Sequence, residues 1–193
     1  MLPWTKAKIV IVGDGAVGKT SLVMTYTEDV FPGEYIPYVV DTCVINKMID
    51  GKPFTFELWD TPAQDGYDRL RPTCYKDTDV FFVCFSIAEP VSLESVTEKW
   101  YPEVSLHAPS TPIFLVGTKL DLRNDEKTLE ILKSRDVSPV TTAQGLETMK
   151  TIGACKYIEC SSLTRENLEH LFHEVTRFVL DAAKRKKRKC VVM

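Results

Sequence analysis

Short apolar runs alternate with amphipathic stretches along most of the chain. Lys8-Ile9-Val10-Ile11-Val12 reads as a buried strand ending at Gly13, and residues 18–28 can form a helix. Two β-rich stretches, 41–49 and 53–60, meet at Asp50-Gly51, a two-residue hairpin signal. Further strand-like runs cover 80–87, 113–116 and 157–160, with helices predicted near 91–106, 126–134 and 142–152. The last helix is the most regular. Leu168, Leu171, Phe172, Val175, Phe178 and Val179 recur at i, i+3, i+4, i+7, i+10 and i+11, a stripe that packs on a core. Strands alternating with helices predict an α/β fold with a mainly parallel sheet and right-handed crossovers, the early hairpin being the antiparallel exception. Ligands in such folds sit at the carboxyl ends of the strands.

Composition narrows the class. The 193 residues are 44% apolar and 26% charged, the balance of one soluble globular domain and not of a disordered, collagen-like or disulfide-scaffold chain. The longest apolar run, 80–88, is too short to cross a bilayer. Met1-Leu2-Pro3-Trp4-Thr5-Lys6 lacks the apolar stretch of a secretory signal, so a cytosolic location with six reduced cysteines is expected. The net charge of −3 hides an asymmetry. Residues 184–189 are all Lys or Arg; without these six, 18 basic residues face 27 acidic ones and the body carries −9. That body is not a general nucleic-acid binder. A basic run of this size suits a nucleic acid, an import receptor or an anionic membrane.

The chemistry begins at Gly13-Asp14-Gly15-Ala16-Val17-Gly18-Lys19-Thr20, which fits G-x-x-x-x-G-K-[ST] between a strand and a helix. Its glycines let backbone N–H groups of the segment through Ser21 turn toward phosphate oxygens. Lys19 reaches the β and γ phosphates, Thr20 can ligate Mg²⁺, and the helix N-terminus favours an anion. Alone, the motif names neither the base nor the reaction.

Three more segments choose a family. Trp59-Asp60-Thr61 ends the third strand, Thr118-Lys119-Leu120-Asp121 follows the fifth, and Cys160-Ser161-Ser162-Leu163 follows the sixth. With Tyr67-Asp68-Arg69-Leu70-Arg71-Pro72, Lys99-Trp100-Tyr101-Pro102 and an insert near 123–138, nearly the whole chain resembles a small GTPase of the Rho family, closest to the Rac type. The resemblance implies a P-loop NTPase (Ras-like) α/β fold: six strands, mostly parallel with one antiparallel, and helices on both faces. The GTP-binding domain would span 1–183, with a basic tail and prenylation box at 184–193. Asp121 would accept two hydrogen bonds from guanine, a donor pair that adenine lacks. Lys119 would cover the base, Phe31 would pack edge-on against it, and the Ser162 N–H would meet guanine O6. Gln64 would orient the attacking water, and Asp60 would hold Mg²⁺ through water. Trp59 matches a residue that helps choose exchange factors. The implied partners are exchange factors, GTPase-activating proteins, dissociation inhibitors and effectors, with no nucleic acid among them.

The switches depart from the family pattern. Switch I reads Tyr35-Ile36-Pro37-Tyr38-Val39-Val40-Asp41, with Tyr38 where the family threonine ligates Mg²⁺, and Thr42 lies four residues late. Switch II reads Asp60-Thr61-Pro62-Ala63-Gln64, with Ala63 in place of glycine and Pro62 fixing its own φ. These changes predict an open switch I and slow hydrolysis, with a non-cycling nucleotide-bound adaptor as the second reading. A P-loop kinase of small substrates lacks support. Cys190-Val191-Val192-Met193 fits a C-a-a-X box, and the basic run beside it supplies the second membrane signal, placing the protein on the cytoplasmic face of the plasma membrane; nuclear import competes for that run. His170 and His173 read as helix-surface residues.

Overall fold

The computed structural model describes residues 5–33 and 41–190. Tyr35, Pro37 and Tyr38 lie outside the described residues. Of Asp41 and residues 185–190 only the backbone is described. The elements run β1 Thr5–Gly13, α1 Lys19–Glu28, β2 Asp41–Ile49, β3 Lys52–Asp60, β4 Val80–Ser86, α2 Pro90–Ser95, a π-turn Val96–Trp100, α3 Tyr101–His107, β5 Ile113–Thr118, α4 Glu126–Ser134, α5 Thr142–Thr151, β6 Lys156–Glu159 and α6 Leu168–Cys190. The sheet order is β2-β3-β1-β4-β5-β6, with every pair parallel except β2 with β3. Five parallel strands and one antiparallel strand with flanking helices are the predicted fold. At Asp50-Gly51 the hairpin turns with both residues at positive φ, as a type I′ turn requires.

Strand alternation explains why both faces of the sheet are covered. Ala7, Ile9 and Ile11 of β1 join Val80, Phe82 and Cys84 of β4 on one side, where Leu22 and Tyr26 of α1 and Leu168, Leu171, Phe172 and Val175 of α6 close the core. Val10 and Val12 join Phe81, Val83 and Phe85 on the other side, under Trp100, Val104 and Ile152. The α6 stripe is therefore the predicted one; Phe178 and Val179 complete it at half burial. Its helix runs on through the basic residues to Cys190, further than the apolar pattern reaches. Among the described residues, no helix is long and apolar enough to cross a membrane, and five cysteines, at 43, 74, 84, 155 and 160, are unbridged. His170 is exposed and His173 half-buried on α6.

The helix predicted near 91–106 contains a π-turn at Val96–Trp100. Pro102 supplies the cause. It has no N–H to donate back along the helix, and its ring crowds the carbonyl four residues earlier, so the turn before it widens. The widened turn seats Trp100 fully inside the second core.

Gly145 on α5 marks a close approach. A Cβ there would lie 2.1 Å from Tyr157 Cζ, while the Tyr157 hydroxyl is held at 2.5 Å by Glu159. Replacing a helix-interior glycine by alanine ordinarily adds about 1 kcal/mol of stability. Here the ring cannot yield freely, so Gly145→Ala is expected to lower the unfolding free energy by about 1–3 kcal/mol. Urea unfolding checks this, and a raised midpoint would refute it.

Candidate functional site

The carboxyl ends of β1 and β3 open onto a cleft of about 700 Å³, a usual size for a small-ligand site. Its wall includes Gly15, Ala16, Gly18, Lys19, Thr20 and Ser21 of the β1–α1 segment, Phe31, Asp60 through Gln64, and Lys119.

Residues 14–17 belong to neither strand nor helix, so their carbonyls find partners elsewhere, whereas the Gly18 carbonyl accepts from Leu22 N of α1 at 2.9 Å. Lys19 Nζ donates to Gly13 O at 2.8 Å and Asp14 O at 2.7 Å. Lys119 Nζ donates to Ala16 O at 2.7 Å, and Thr118 Oγ1 donates to Val17 O at 2.5 Å and to Phe85 O at 2.9 Å. Trp100 Nε1 donates to Asp14 Oδ1 at 2.8 Å. In a planar trans peptide the N–H points away from the C=O. Holding the carbonyls of residues 16 and 17 on one side thus turns the N–H groups of Val17 and Gly18 to the other. The Val17 side chain itself faces the first core.

Gly13 sits at φ +146, and a Cβ there would meet Cys84 O at 2.3 Å. Gly18 stands at φ +101 as the N-cap of α1, which has no side-chain cap. By contrast, Asp125 and Thr141 cap α4 and α5. The first N–H groups of α1 are therefore left for a ligand, with the helix dipole behind them. Burial holds the Lys19 ammonium below its ordinary pKa, with Asp60 opposing the shift. Phosphate oxygens at this place would relieve that cost.

Thr20 Oγ1 donates to Asp60 Oδ2 at 2.5 Å, and both residues line the cleft. Hydroxyl and carboxylate oxygens are the few hard donors that Mg²⁺ takes when phosphate and water complete its shell, so the residues fit that ion. No group of three His, Cys, Asp or Glu with metal-binding geometry occurs among the described residues.

The residues that the resemblance assigns to the base gather separately. Ser161 Oγ donates to Asp121 Oδ1 at 2.5 Å and accepts from Thr164 N at 3.0 Å, while Leu120 N donates to Cys160 O at 3.1 Å. Asp121 is thereby aimed by the loop after β6. Lys119, at φ +58, has its pKa lowered by burial, against Glu89 and Asp121. Lys119 and Phe31 lie on the cleft wall; Asp121, Ser161, Ser162 and Leu163 do not. Ser161 and Ser162 are buried, and Leu163 is exposed.

Switch II is tied down more firmly than its sequence suggests. Thr61 Oγ1 donates to Ile11 O at 2.7 Å. The Arg71 side chain is fully buried. It donates from Nε to Pro62 O at 2.8 Å, from Nη2 to Gln64 O at 3.3 Å and to Asp68 at 2.8 Å, and from Nη1 to Glu103 at 2.6 Å. Its guanidinium lies 4.7 Å from the Trp100 ring centroid. Ala63 packs against the second core, Gln64 is exposed and Tyr67 is half-buried. Trp59 is half-buried, its Nε1 donating to Glu57 at 3.1 Å. The sequence shows Arg71 and Trp100 only as part of a resemblance; nothing in their spacing says that they meet.

Removing the guanidinium would take the donor from the Pro62 carbonyl and leave Glu103, which also accepts from the Tyr75 hydroxyl, without its cation. Arg71→Met is expected to cost about 3–5 kcal/mol of unfolding free energy, read by chemical denaturation. A loss below about 1 kcal/mol, the scale of an exposed pair, would show that the clamp contributes little.

The geometry is that of a nucleotide phosphate site with a separate carboxylate for the base. The sequence model of the Ras family matches residues 8–181. Covering that much of a chain with this fold and this loop, it shows that the protein belongs to the Ras family of small GTP-binding proteins.

Proposed function

We propose that the chain is a Rho-type, Rac-like member of this family: a membrane-tethered switch that binds GTP and GDP with Mg²⁺ and hydrolyses GTP slowly. The observation that carries the reading is the placement of Gln64, Asp60 and Lys19 on one cleft wall. Lys19 and the α1 N-terminus would hold the phosphates, and Gln64 would orient water. Bound Mg²⁺, held through Thr20 and Asp60, would supply charge neutralisation at the phosphates. Insert-like α4, Trp59 and the Cys190 box support the finer assignment by resemblance. They suggest exchange factors, activating proteins, dissociation inhibitors and effectors as partners, actin signalling as the process, and the cytoplasmic face of the plasma membrane as the location. Farnesyl plus the basic run would provide the two anchoring signals.

One observation favours a second reading, a nucleotide-bound adaptor with little turnover. Arg71 holds the carbonyls on both sides of Ala63, and Pro62 fixes its own φ. A backbone held at both ends resists the change that γ-phosphate contact requires.

Two measurements test these readings. Nucleotide released from the purified protein should be guanine nucleotide, and single-turnover hydrolysis should run slower than in ordinary Rac proteins. Ordinary intrinsic and activator-stimulated rates would refute impaired cycling, and no detectable turnover would favour the adaptor. Asp121→Ala removes a charged acceptor for two guanine donors, each such bond contributing about 1.5–3 kcal/mol. GTP affinity should fall about 100-fold or more, with ATP binding unchanged; equal loss for both nucleotides would refute the assignment of Asp121.

A further inference from the structure

The residues assigned to the base sit on two segments far apart in sequence. One leaves α1 at Asp29, its C-cap at φ +59, and carries Phe31 on the cleft wall two residues on. The other follows β6 and carries Ser161 through Leu163. This second loop is closed on itself: Ser161 N donates to Glu166 O at 3.0 Å, Leu168 N donates to Arg165 O at 3.2 Å, and Asn167 Nδ2 donates to Glu159 O at 2.9 Å. Arg165 stands within it at φ +67, a backbone state that a non-glycine residue adopts only when its surroundings hold it there. From that fixed position its Nη2 pairs with Asp29 Oδ1, across 136 positions of sequence.

We infer that the Asp29–Arg165 ion pair is a strap that slows nucleotide release, by tying the segment bearing Phe31 to the loop that aims Asp121. This rests on the guanine-nucleotide reading above. Both partners stand where their backbones are already set, so the pair needs little ordering of the main chain. The neighbouring charges agree with it in sign: Lys47 acts on Asp29 and Glu169 on Arg165, and those two pair with each other at 3.2 Å. Release of a base held between the segments requires them to part, and parting them breaks the pair.

Its side chains are 40% and 71% exposed for Arg165 and Asp29, which sets the scale. An exposed pair shifts an equilibrium or a barrier by roughly 1.5- to 5-fold and weakens with salt. The strap therefore trims the release rate rather than locking the site.

The test uses the full chain loaded with a fluorescent GDP analogue and chased with excess GDP, at about 20 mM and about 500 mM NaCl, on either side of the screening range. Arg165→Gln and Asp29→Asn should each release nucleotide about 2- to 5-fold faster than the parent at low salt. They should also lose most of the parent's salt dependence. The double variant, Asp29→Asn with Arg165→Gln, should release nucleotide no faster than either single variant, because both changes break the same pair. Independent structural roles for the two loops would instead multiply the two single effects. Release unchanged in the single variants, or effects that multiply in the double variant, would overturn the strap while leaving guanine binding intact. Failure of the parent chain to load guanine nucleotide would overturn both.

Discussion

The structure turns on a shortage of backbone partners at residues 13–18. A loop of that length between a strand and a helix has carbonyls that neither element satisfies, and those beside the buried Gly13 and Val17 cannot be left bare. The chain answers with side chains from three directions: Lys19 from the loop's own helix, Thr118 and Lys119 from the end of β5, and Trp100 from the π-turn. The bonds from Lys19, Thr118 and Lys119 go to carbonyls and turn those peptides so that the N–H faces the other way, while Trp100 holds the Asp14 carboxylate. The anion-facing N–H groups are thus the remainder of a hydrogen-bond accounting in which the loop's carbonyls are met by side chains from outside it. It follows that β5 shapes this loop as much as the glycines do, and that the π-turn fixes the side chain of Asp14.

The sheet makes this convergence geometrically possible. Since β3, β1, β4 and β5 are consecutive in the sheet and parallel, their carboxyl ends lie along one edge of it. Segments separated by about a hundred residues meet there without a long loop. The two-faced core then holds them in place. On one side the stacked rings of Tyr26 and Phe172 join α1 to α6; on the other, Trp100 is enclosed by the second core and still reaches Asp14 with its one donor. Trp100 thus contributes apolar volume to the core and a hydrogen bond to the site, and the guanidinium of Arg71 lies over the same ring.

What the sequence revealed and what it hid divide along the range of the interactions. The strands at β1, β4 and β5 were legible because their apolar residues are continuous, and the α6 stripe because its period is local. Gly13 through Thr20 was legible because a phosphate loop is itself contiguous. The π-turn was hidden, although Pro102 is its visible cause, because the periodicity of 91–106 averages over one widened turn. The Arg71 clamp and the Asp29–Arg165 pair were hidden for a different reason. An arginine in a sequence reads as surface charge, and only the fold decides whether it is enclosed with Glu103 or pairs with an aspartate 136 positions away. The continuation of α6 to Cys190 was hidden because six consecutive cations offer no apolar period, although Lys and Arg are themselves good helix formers.

The same anchors limit how the segment from Thr61 to Leu70 can move when a ligand binds. A ligand that moves a two-state equilibrium from 1:99 to 99:1 must favour one state by about 5.5 kcal/mol. Thr61 is held to Ile11 O, and Pro62 O and Gln64 O are held by a fully buried guanidinium. At about 1 kcal/mol for the first bond and about 1.5–3 for each charged one, releasing all three would cost about as much as that whole shift requires. A switch that gave up these contacts would leave little free energy to read out. The economical motion therefore pivots about them, keeping Thr61 and Pro62 in place. Displacement is left to the side chain of Gln64 and to Asp65, Gly66, Arg69 and Leu70, which are exposed. On that view Ala63, seated against the second core, is the boundary between the fixed and the moving parts of switch II. Its methyl group holds the fixed side by packing where the family's glycine holds nothing.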